Sequence, residues 1–475
     1  MTITRLPITD RDRFDVSRHP LRRPFHRLAT AIALLPLFAA PAGAVGLVEV
    51  YQQAREYDAT LQGAAFELES ARQVLPQARS AFRPQAALSG EIGLTRFDAD
   101  NPNGDADGPD SSDDYVDSQI GLQLSQTLFN RQNGALVDQA RIGVRQAEAV
   151  FAASAQDLVL RVATAYFDVL RAEANVEFSQ SELESIERQR DQAERRFDVG
   201  LIPITDVRTA QAQYDLAVAQ EIAASDQYTT TVEALRVISG IEVDTLDSLA
   251  EDLPLIPPDP ADIDAWVTLA KEQNLPLVIA GLSSDIAQTR IQAQRAQRLP
   301  TLDVVLSGAL STTDQDLRPE STRAATIGLQ TSVPLFTGGR IKAQIAEARA
   351  DYRALEQDFI AQERSAVQQA RDGYRGVIAS ISRVNALRQA LDSTRQSAEA
   401  VEAGFRAGTR TSVDVLRALR DVFRARSDYA NARYDYLLNS FRLKLAAGTL
   451  DEIDLVTVNR FLEPEEEPEE GVGEQ

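Results

Sequence analysis

Two hydrophobic rhythms divide this chain. From Arg131 to about Phe197 apolar residues return every seven positions: Val137, Val144, Phe151 and Leu158, then, after a four-residue shift, Val162, Val169, Val176 and Leu183. Ala, Gln, Glu and Arg fill the gaps and no proline interrupts them. The spacing predicts one helix of about 67 residues, roughly 100 Å long at 1.5 Å per residue. Its heptad seam carries a stutter, where a supercoil locally unwinds. Residues 340 to 406 repeat the length, with Ile345, Tyr352 and Phe359, then Val367, Tyr374 and Ile381. Shorter helical stretches at about 47 to 80, 206 to 238, 263 to 297 and 413 to 446 are expected to pack antiparallel against the two long ones. No ordinary globular core accommodates a helix of that length.

The second rhythm has period two. In "SQIGLQLSQTLF" Ile120, Leu122, Leu124 and Leu128 alternate with polar residues and Gly121. Three other segments agree: Leu88, Ile92 and Leu94; Leu302, Val304, Leu306 and Leu310; Ile327, Leu329 and Val333. The first and third are entered at Pro84 and Pro300, where the preceding residue is biased away from helix. Strands of about 10 to 13 residues with one apolar and one polar face fit an outer-membrane barrel; a soluble sheet over a core has the same alternation. The loop of residues 98 to 117 holds eight aspartates. It lacks the full ligand spacing of a calcium loop and is read as solvated. Four strands cannot close a membrane barrel without edges facing lipid, so a barrel must be shared between chains.

Both rhythms are stated twice. "FDVGLIPITDV" (197 to 207) is echoed by "FRAGTRTSVDV" (405 to 415), Leu128-Phe129 by Leu335-Phe336, and Pro84 by Pro300. Three matches in one order make a tandem duplication of about 210 residues. The chain therefore divides into a leader (1–44), a helix (45–84), a hairpin (85–129), helices (130–248), a Pro-rich join (249–262), a helix (263–299), a second hairpin (300–336), helices (337–448) and an acidic tail (449–475) expected to be disordered. Trp266, just past the join, is read as packing only.

Composition then narrows the chemistry. Residues 1–44 combine seven arginines, an apolar run from Leu28 to Ala40 and the ending Ala42-Gly43-Ala44. That is read as a signal peptide cleaved after Ala44; the run is too short for a membrane span. The leader holds both histidines and the one methionine, and the chain has no cysteine. The mature chain thus offers no imidazole base, thiol nucleophile or Cys/His zinc site, and no metal or cofactor is expected. Losing seven arginines and three aspartates moves the net charge from −22 to −26, which disfavours nucleic acid as a partner.

The echoed stretches read as helix–turn–helix tips. Gly200 and Gly408 suit the left-handed position that ends a helix, while Thr205 or Asp206, and Ser412, are candidates to cap the next one. Tight turns alone explain the glycines and caps but not the neighbouring "TD" and "TRTSVD".

With "VYQQAR" (50 to 55), "TAYFDVL" (164 to 170), "GLIPITDVRTAQAQYD" (200 to 215), "LPTLDV" (299 to 304), "GTRTSVDVL" (408 to 416) and "NARYDYLLNSFRLKLAAGTL" (431 to 450) in order, the chain resembles the TolC family of outer-membrane efflux channels. The resemblance covers essentially all of the mature chain. It implies a mostly helical fold with a β-barrel part: a homotrimer whose twelve-strand barrel sits in outer-membrane lipid and continues as a twelve-helix tunnel through the periplasm. It implies as partners a periplasmic membrane-fusion adaptor and an inner-membrane pump of RND, ABC or MFS type, and as function drug efflux or type I protein secretion. In the family an arginine of the second tip ties to the Thr-Asp of the first and shuts the tunnel; Arg410 with Thr205 and Asp206 matches. Asp414 matches a constriction aspartate. A family tyrosine is Phe405 here, so a second latch lacks its hydroxyl, and a second aspartate is Arg417, placed to pair with Asp414 at i,i+3. Val199-Gly200-Leu201 and Ala407-Gly408-Thr409 resemble the adaptor-docking tips, with Ala407 in place of a valine. A secreted structural coiled coil is the competing reading; heptads and an acidic surface serve it, four alternating strands do not. An enzyme is a distant third, since no carboxylate pair is set apart.

Overall fold

The computed structural model describes residues 45–99, 111–242, 245–250, 252–314 and 320–463. The expected leader, the centre of the Asp-rich loop and residues 464–475 lie outside the described residues. In chain order the elements are α1 (Leu47–Tyr57), α2 (Ala59–Ser80), β1 (Gln85–Ala99), β2 (Ser111–Phe129), α3 (Arg131–Asp198), α4 (Ile204–Ser239), β3 (Ser248–Leu249), α5 (Ile263–Gln273), α6 (Leu275–Ala296), β4 (Thr301–Asp314), β5 (Glu320–Ser332), α7 (Arg340–Arg406), α8 (Ser412–Ala447), α9 (Glu452–Asn459) and β6 (Leu462–Glu463).

The long helices α3 and α7 run unbroken for 68 and 67 residues. Every residue of the expected seams is at least partly buried; Leu158 and Val162, on either side of the stutter, are fully so. α4 lies along α3 and α8 along α7, while α3 also touches α2, α6 and α8.

The helical stretch expected at about 47 to 80 is two helices, and so is that at 263 to 297. Asp58 breaks the first: its backbone is extended and its carboxylate accepts the Leu61 amide at 2.8 Å, capping α2. Asn274 breaks the second in the same way, accepting from Leu277 N at 3.1 Å and donating to Ala446 O at 3.0 Å. Heptad spacing does not register such a break, because the apolar positions resume one turn later.

β1, β2, β4 and β5 form one antiparallel sheet in that order. Three strands are longer than the spacing predicted, at 15, 19 and 14 residues, and β5, at 13, matches it. Residues 98–99 and 111–117 of the Asp-rich loop belong to them. The register aligns Leu88 with Leu122, Ile120 with Leu310 and Leu306 with Ile327. One face is therefore apolar and open, with Leu88, Ile92, Leu94, Ile327 and Leu329 all exposed. From Leu88 to Leu94 that band is about 20 Å tall at roughly 3.3 Å per residue, close to the lipid-facing band of outer-membrane barrels. The opposite face presents Ser89, Glu91, Gln119, Gln123, Ser307 and Gln330. β1 and β5 are the sheet's two edges. No described helix is long and apolar enough to cross a membrane.

The main hydrophobic core lies midway along α3, where α1, α8 and α9 close around it. Tyr166 and Phe167 are completely buried, their rings edge-on at 5.8 Å, and Phe167 stacks on Tyr434 at 5.9 Å. Here the expected disordered tail at 449–475 needs correction. Asp451 and Asp454 form a capping box that starts α9, Leu455 is fully buried, and β6 pairs with β3. The acidic composition hid Leu455, Val458 and Leu462, which are enough to dock the segment.

Candidate functional site

At the end of the helices opposite the sheet, the two echoed stretches fold into matching turns. α3 ends in Asp198 and Gly200 takes φ 72°; α7 ends in Arg406 and Gly408 takes φ 76°. Gly200 N donates to Phe197 O at 2.8 Å and Leu201 N to Arg196 O at 2.8 Å, while Gly408 N donates to Phe405 O at 3.0 Å and Thr409 N to Gly404 O at 2.8 Å. These are corresponding residues of the repeat, bonded alike. Val199, Leu201, Ala407 and Thr409 are exposed around the glycines, and nothing lies within 4 Å of where a Cβ would stand on either glycine. Two apolar side chains, Val199 and Leu201, thus stand in solvent at the first tip, with bare backbone between them.

The helix caps differ from those anticipated. α4 begins at Ile204 with Pro203 as its N-cap and no side-chain cap bond, so Thr205 and Asp206 sit inside the first turn. Proline's fixed φ starts the helix, and Asp206 faces the positive end of its dipole. At the second tip Thr411, not Ser412, is the cap. Asp414 N donates to Thr411 Oγ1 at 3.2 Å, and Asp414 Oδ2 accepts from Thr411 N at 3.0 Å and Thr411 Oγ1 at 2.9 Å. The Thr-x-x-Asp spacing was visible and is the acidic form of a capping box. These bonds from the Thr411 amide and hydroxyl hold the Asp414 carboxyl below the usual carboxylate range, with the Arg410 and Arg417 charges adding less. The Asp414 charge therefore persists into mildly acidic solution.

Within one chain the described residues contain no ion pair between Arg410 and Asp206, nor between Arg417 and Asp414. Thr205 Oγ1 instead donates to Asp206 Oδ1 at 3.5 Å, and the Arg410 side chain lies over Gly404. What does join the two tips is a contact that sequence reading missed: the Arg196 guanidinium sits 4.8 Å from the centroid of the Phe405 ring. An arginine in that position is attracted to the ring quadrupole by about 0.5–1 kcal/mol when exposed. Just above, Arg190 lies 4.3 Å over Tyr214, Arg420 Nη1 donates to Gln213 Oε1 at 3.0 Å, and Ile186, Ala217 and Leu416 make a small apolar cluster across α3, α4 and α8. No pairwise spacing announces these contacts, because each joins residues from different helices. Among the described residues no cluster of three or more His, Cys, Asp or Glu is placed to hold a metal.

The family model for outer membrane efflux proteins matches residues 50–241 and 266–449. Outer membrane protein TolC of Vibrio cholerae is 37% identical over 441 residues, covering 90% of this chain and 98% of that protein. Alkaline protease secretion protein AprF of Pseudomonas aeruginosa is 31% identical, covering 90% and 89%. Among solved structures, the outer membrane protein VceC of Vibrio cholerae superposes with a TM-score of 0.69 at 21% identity, covering 85% and 96% of the two chains. The Campylobacter jejuni CmeC outer membrane channel superposes with a TM-score of 0.72 at 16% identity, covering 94% and 98%.

Proposed function

Because the chain belongs to the outer membrane efflux protein family, we infer that three copies form the outer-membrane exit duct of an efflux or type I secretion system, served by a periplasmic adaptor and an inner-membrane pump. The observation that carries this reading is the four-stranded sheet, apolar and exposed on one face, with two open edges, continuing into helices of 68 and 67 residues. One chain leaves strand edges that lipid cannot satisfy; three close a barrel of twelve. Helices about 100 Å long then carry its bore far from the membrane. Relatives named for protease secretion and for efflux support both kinds of cargo. The family is one of channels, and the chain itself supplies a path and no catalysis.

The tips are the far mouth of that duct. The Val199-Gly200-Leu201 and Ala407-Gly408-Thr409 turns dock the adaptor, whose hairpin approaches closely because the glycines lack side chains. Among the described residues Arg410 makes no ion pair within its own chain, so its link to Thr205 and Asp206 is made to a neighbouring copy, closing the mouth three times around the axis. A guanidinium can grip a carboxylate with two charge-assisted bonds. Asp414 lines the constriction, with Arg417 one turn on weakening the ring's negative field.

Complementation in an efflux-deficient host, with outer-membrane fractionation and the mass of the detergent-solubilised particle, tests the duct. A monomer, or a particle absent from the outer membrane, overturns it. In planar bilayers Arg410→Ser should raise the open-to-closed ratio about tenfold per link, from the strength of one charge-assisted bond, and Asp206→Ala should do the same with little added in the double variant. Wild-type conductance in Arg410→Ser would remove the latch from the proposal.

A further inference from the structure

Below the main core, α3, α7 and α8 line a groove of about 590 Å³ in which four arginines gather: Arg388, Arg395, Arg426 and Arg433. Three acids share its walls, Glu177, Asp252 and Asp392. Among the described residues the one ion pair these arginines form is Arg388 to Asp252 at 3.9 Å, and both of those side chains are largely exposed. Arg433 directs Nη2 at two backbone carbonyls, Leu249 O at 3.3 Å and Ala250 O. The Nε atoms of Arg426 and Arg433 are buried and have no hydrogen-bond partner. In a chain of net charge −22, positive groups gathered this closely and paired this little make a site for an anion that carries several charges.

We propose that the occupant is the chain's own acidic segment, residues 464–475, folded back so that its glutamates meet the groove arginines. The segment lies outside the described residues, and three observations point it here. The first is where it starts. β6 pairs Leu462 with Leu249, the residue whose carbonyl Arg433 holds, so the segment begins about one strand spacing, some 4.8 Å, from a backbone the groove already grips. Pro464 has no N–H to extend that ladder, and the pairing with β3 ends at Glu463.

Charge is the second. Glu465, Glu466, Glu467, Glu469 and Glu470 fall within six positions with no basic residue among them, and each can take a charge-assisted pair from a guanidinium. Length is the third. Pro464 and Pro468 favour the polyproline II conformation, in which Glu465 and Glu469 would stand about 12 Å apart. Arg388 and Arg395, seven residues apart on α7, are separated by about 10 Å along the helix. A single small oxyanion from solution cannot bridge arginines so far apart, whereas a chain of carboxylates can. Docked in this way, the segment would tie the strand pair β3–β6 to α7 and α8.

The chain has no cysteine, so a nitroxide on Val472→Cys reports on the segment alone in the intact purified protein. In dilute buffer its spectrum should contain a slowly tumbling component, which should vanish at about 1 M salt, where the Debye length is about 3 Å. Arg388→Gln, Arg395→Gln and Arg426→Gln together should remove that component in dilute buffer as well; Arg433 is kept because it also holds the β3 carbonyls. A freely tumbling label in dilute buffer with all four arginines present, or a slow component that survives the triple variant, overturns the proposal. A synthetic peptide of residues 463–475 then identifies the occupant. It should bind the full chain carrying Glu465→Gln, Glu466→Gln, Glu467→Gln, Glu469→Gln and Glu470→Gln. It should bind the unaltered chain about tenfold more weakly, because a tethered segment competes at millimolar effective concentration. Equal binding to the two chains, or a groove that takes inorganic phosphate and refuses the peptide, removes the segment as its occupant.

Discussion

The middle of α3 and its tip are parts of one helix held by opposite means. At the middle, Tyr166 and Phe167 are sealed among α1, α8 and α9, and the Tyr166 hydroxyl donates to Asp247 O at 2.9 Å and Val45 O at 3.2 Å. Burial raises the Tyr166 phenol well above its ordinary pKa and pushes Tyr434 up to about 12; both stay neutral. Close by, Arg161 grips Asp58 with two bonds of 2.9 and 3.0 Å and Asp157 with a third of 2.7 Å. At the tip there are single cation–ring contacts, one small apolar cluster and backbone caps. Removing a middle contact leaves a cavity or an unpaired buried group, whereas removing a tip contact mostly returns it to water. The proposed gate at the tips would draw on that asymmetry, since its contacts are the ones that can separate at small cost.

The largest effect should come from the middle. Phe167→Ala removes a fully buried ring that touches Tyr166 and Tyr434, and should cost about 3–5 kcal/mol, read as a lower unfolding midpoint of the purified particle and a smaller yield in the outer membrane. Next are two glycines with the same backbone. A Cβ on Gly448 would stand 2.1 Å from Gln273 O, whereas on Gly200 it meets nothing within 4 Å. Gly200→Ala should therefore cost only the left-handed penalty of about 1–2 kcal/mol, and Gly448→Ala about 1–3 kcal/mol more for the displaced backbone. Equal midpoints for the two variants would erase the distinction between middle and tip.

Asp58→Ala should cost about 1–3 kcal/mol, below the 3–5 of a sealed ion pair because the Arg161 side chain is 30% exposed and can turn to solvent. The Arg161 hydrogen bonds hold the Asp58 carboxyl below the usual range. Its contribution is thus fully present above the unfolded value, about pH 3.9, and is lost as pH falls through the folded one. Wild type and Asp58→Ala should converge in stability in strong acid and separate above about pH 4, followed by thermal unfolding across that range. The smallest effect belongs to the tip: Phe405→Leu keeps the apolar bulk but loses the ring under Arg196, shifting the open-to-closed ratio by about two- to fivefold per contact. Phe405→Tyr should keep that contact, and its added hydroxyl should lower open probability. Single-channel recording separates the two.

How far the sequence could be read follows the same division. Features that repeat with a period were legible: α7 spans the expected residues 340 to 406, the four alternating segments are four strands, and the tip glycines are left-handed. Features that depend on where distant segments meet were not. Phe167 gives no sign within "TAYFDVL" that α8 supplies its stacking partner, and Arg196 gives none that Phe405 is within 4.8 Å. Local signals mark the breaks at Asp58, Asn274 and Thr411, each of them a capping residue with the side chain that position favours; "NLPL" even carries a proline where a helix tolerates it. That Phe405 carries no hydroxyl is legible in the sequence; the use of its ring under Arg196 is visible only in the geometry.

The clasp between the first and last described helices sets the order in which the molecule can be made. Val48 N donates to Asn459 Oδ1 at 3.3 Å across 411 positions, β6 pairs with β3, and Leu455 enters the same core as Leu47. Contacts so distant along the chain close late, because the loop entropy must be met before they reward it. A polypeptide arriving amino end first can wind α3 and zip its first hairpin early, yet it cannot seal the middle until α9 has emerged. A copy without α9 would lack Leu455 and Val458 from the core that holds Tyr166 and Phe167. The docking of α9 thereby completes the packed middle of the molecule, against which the proposed gate at the tips would work.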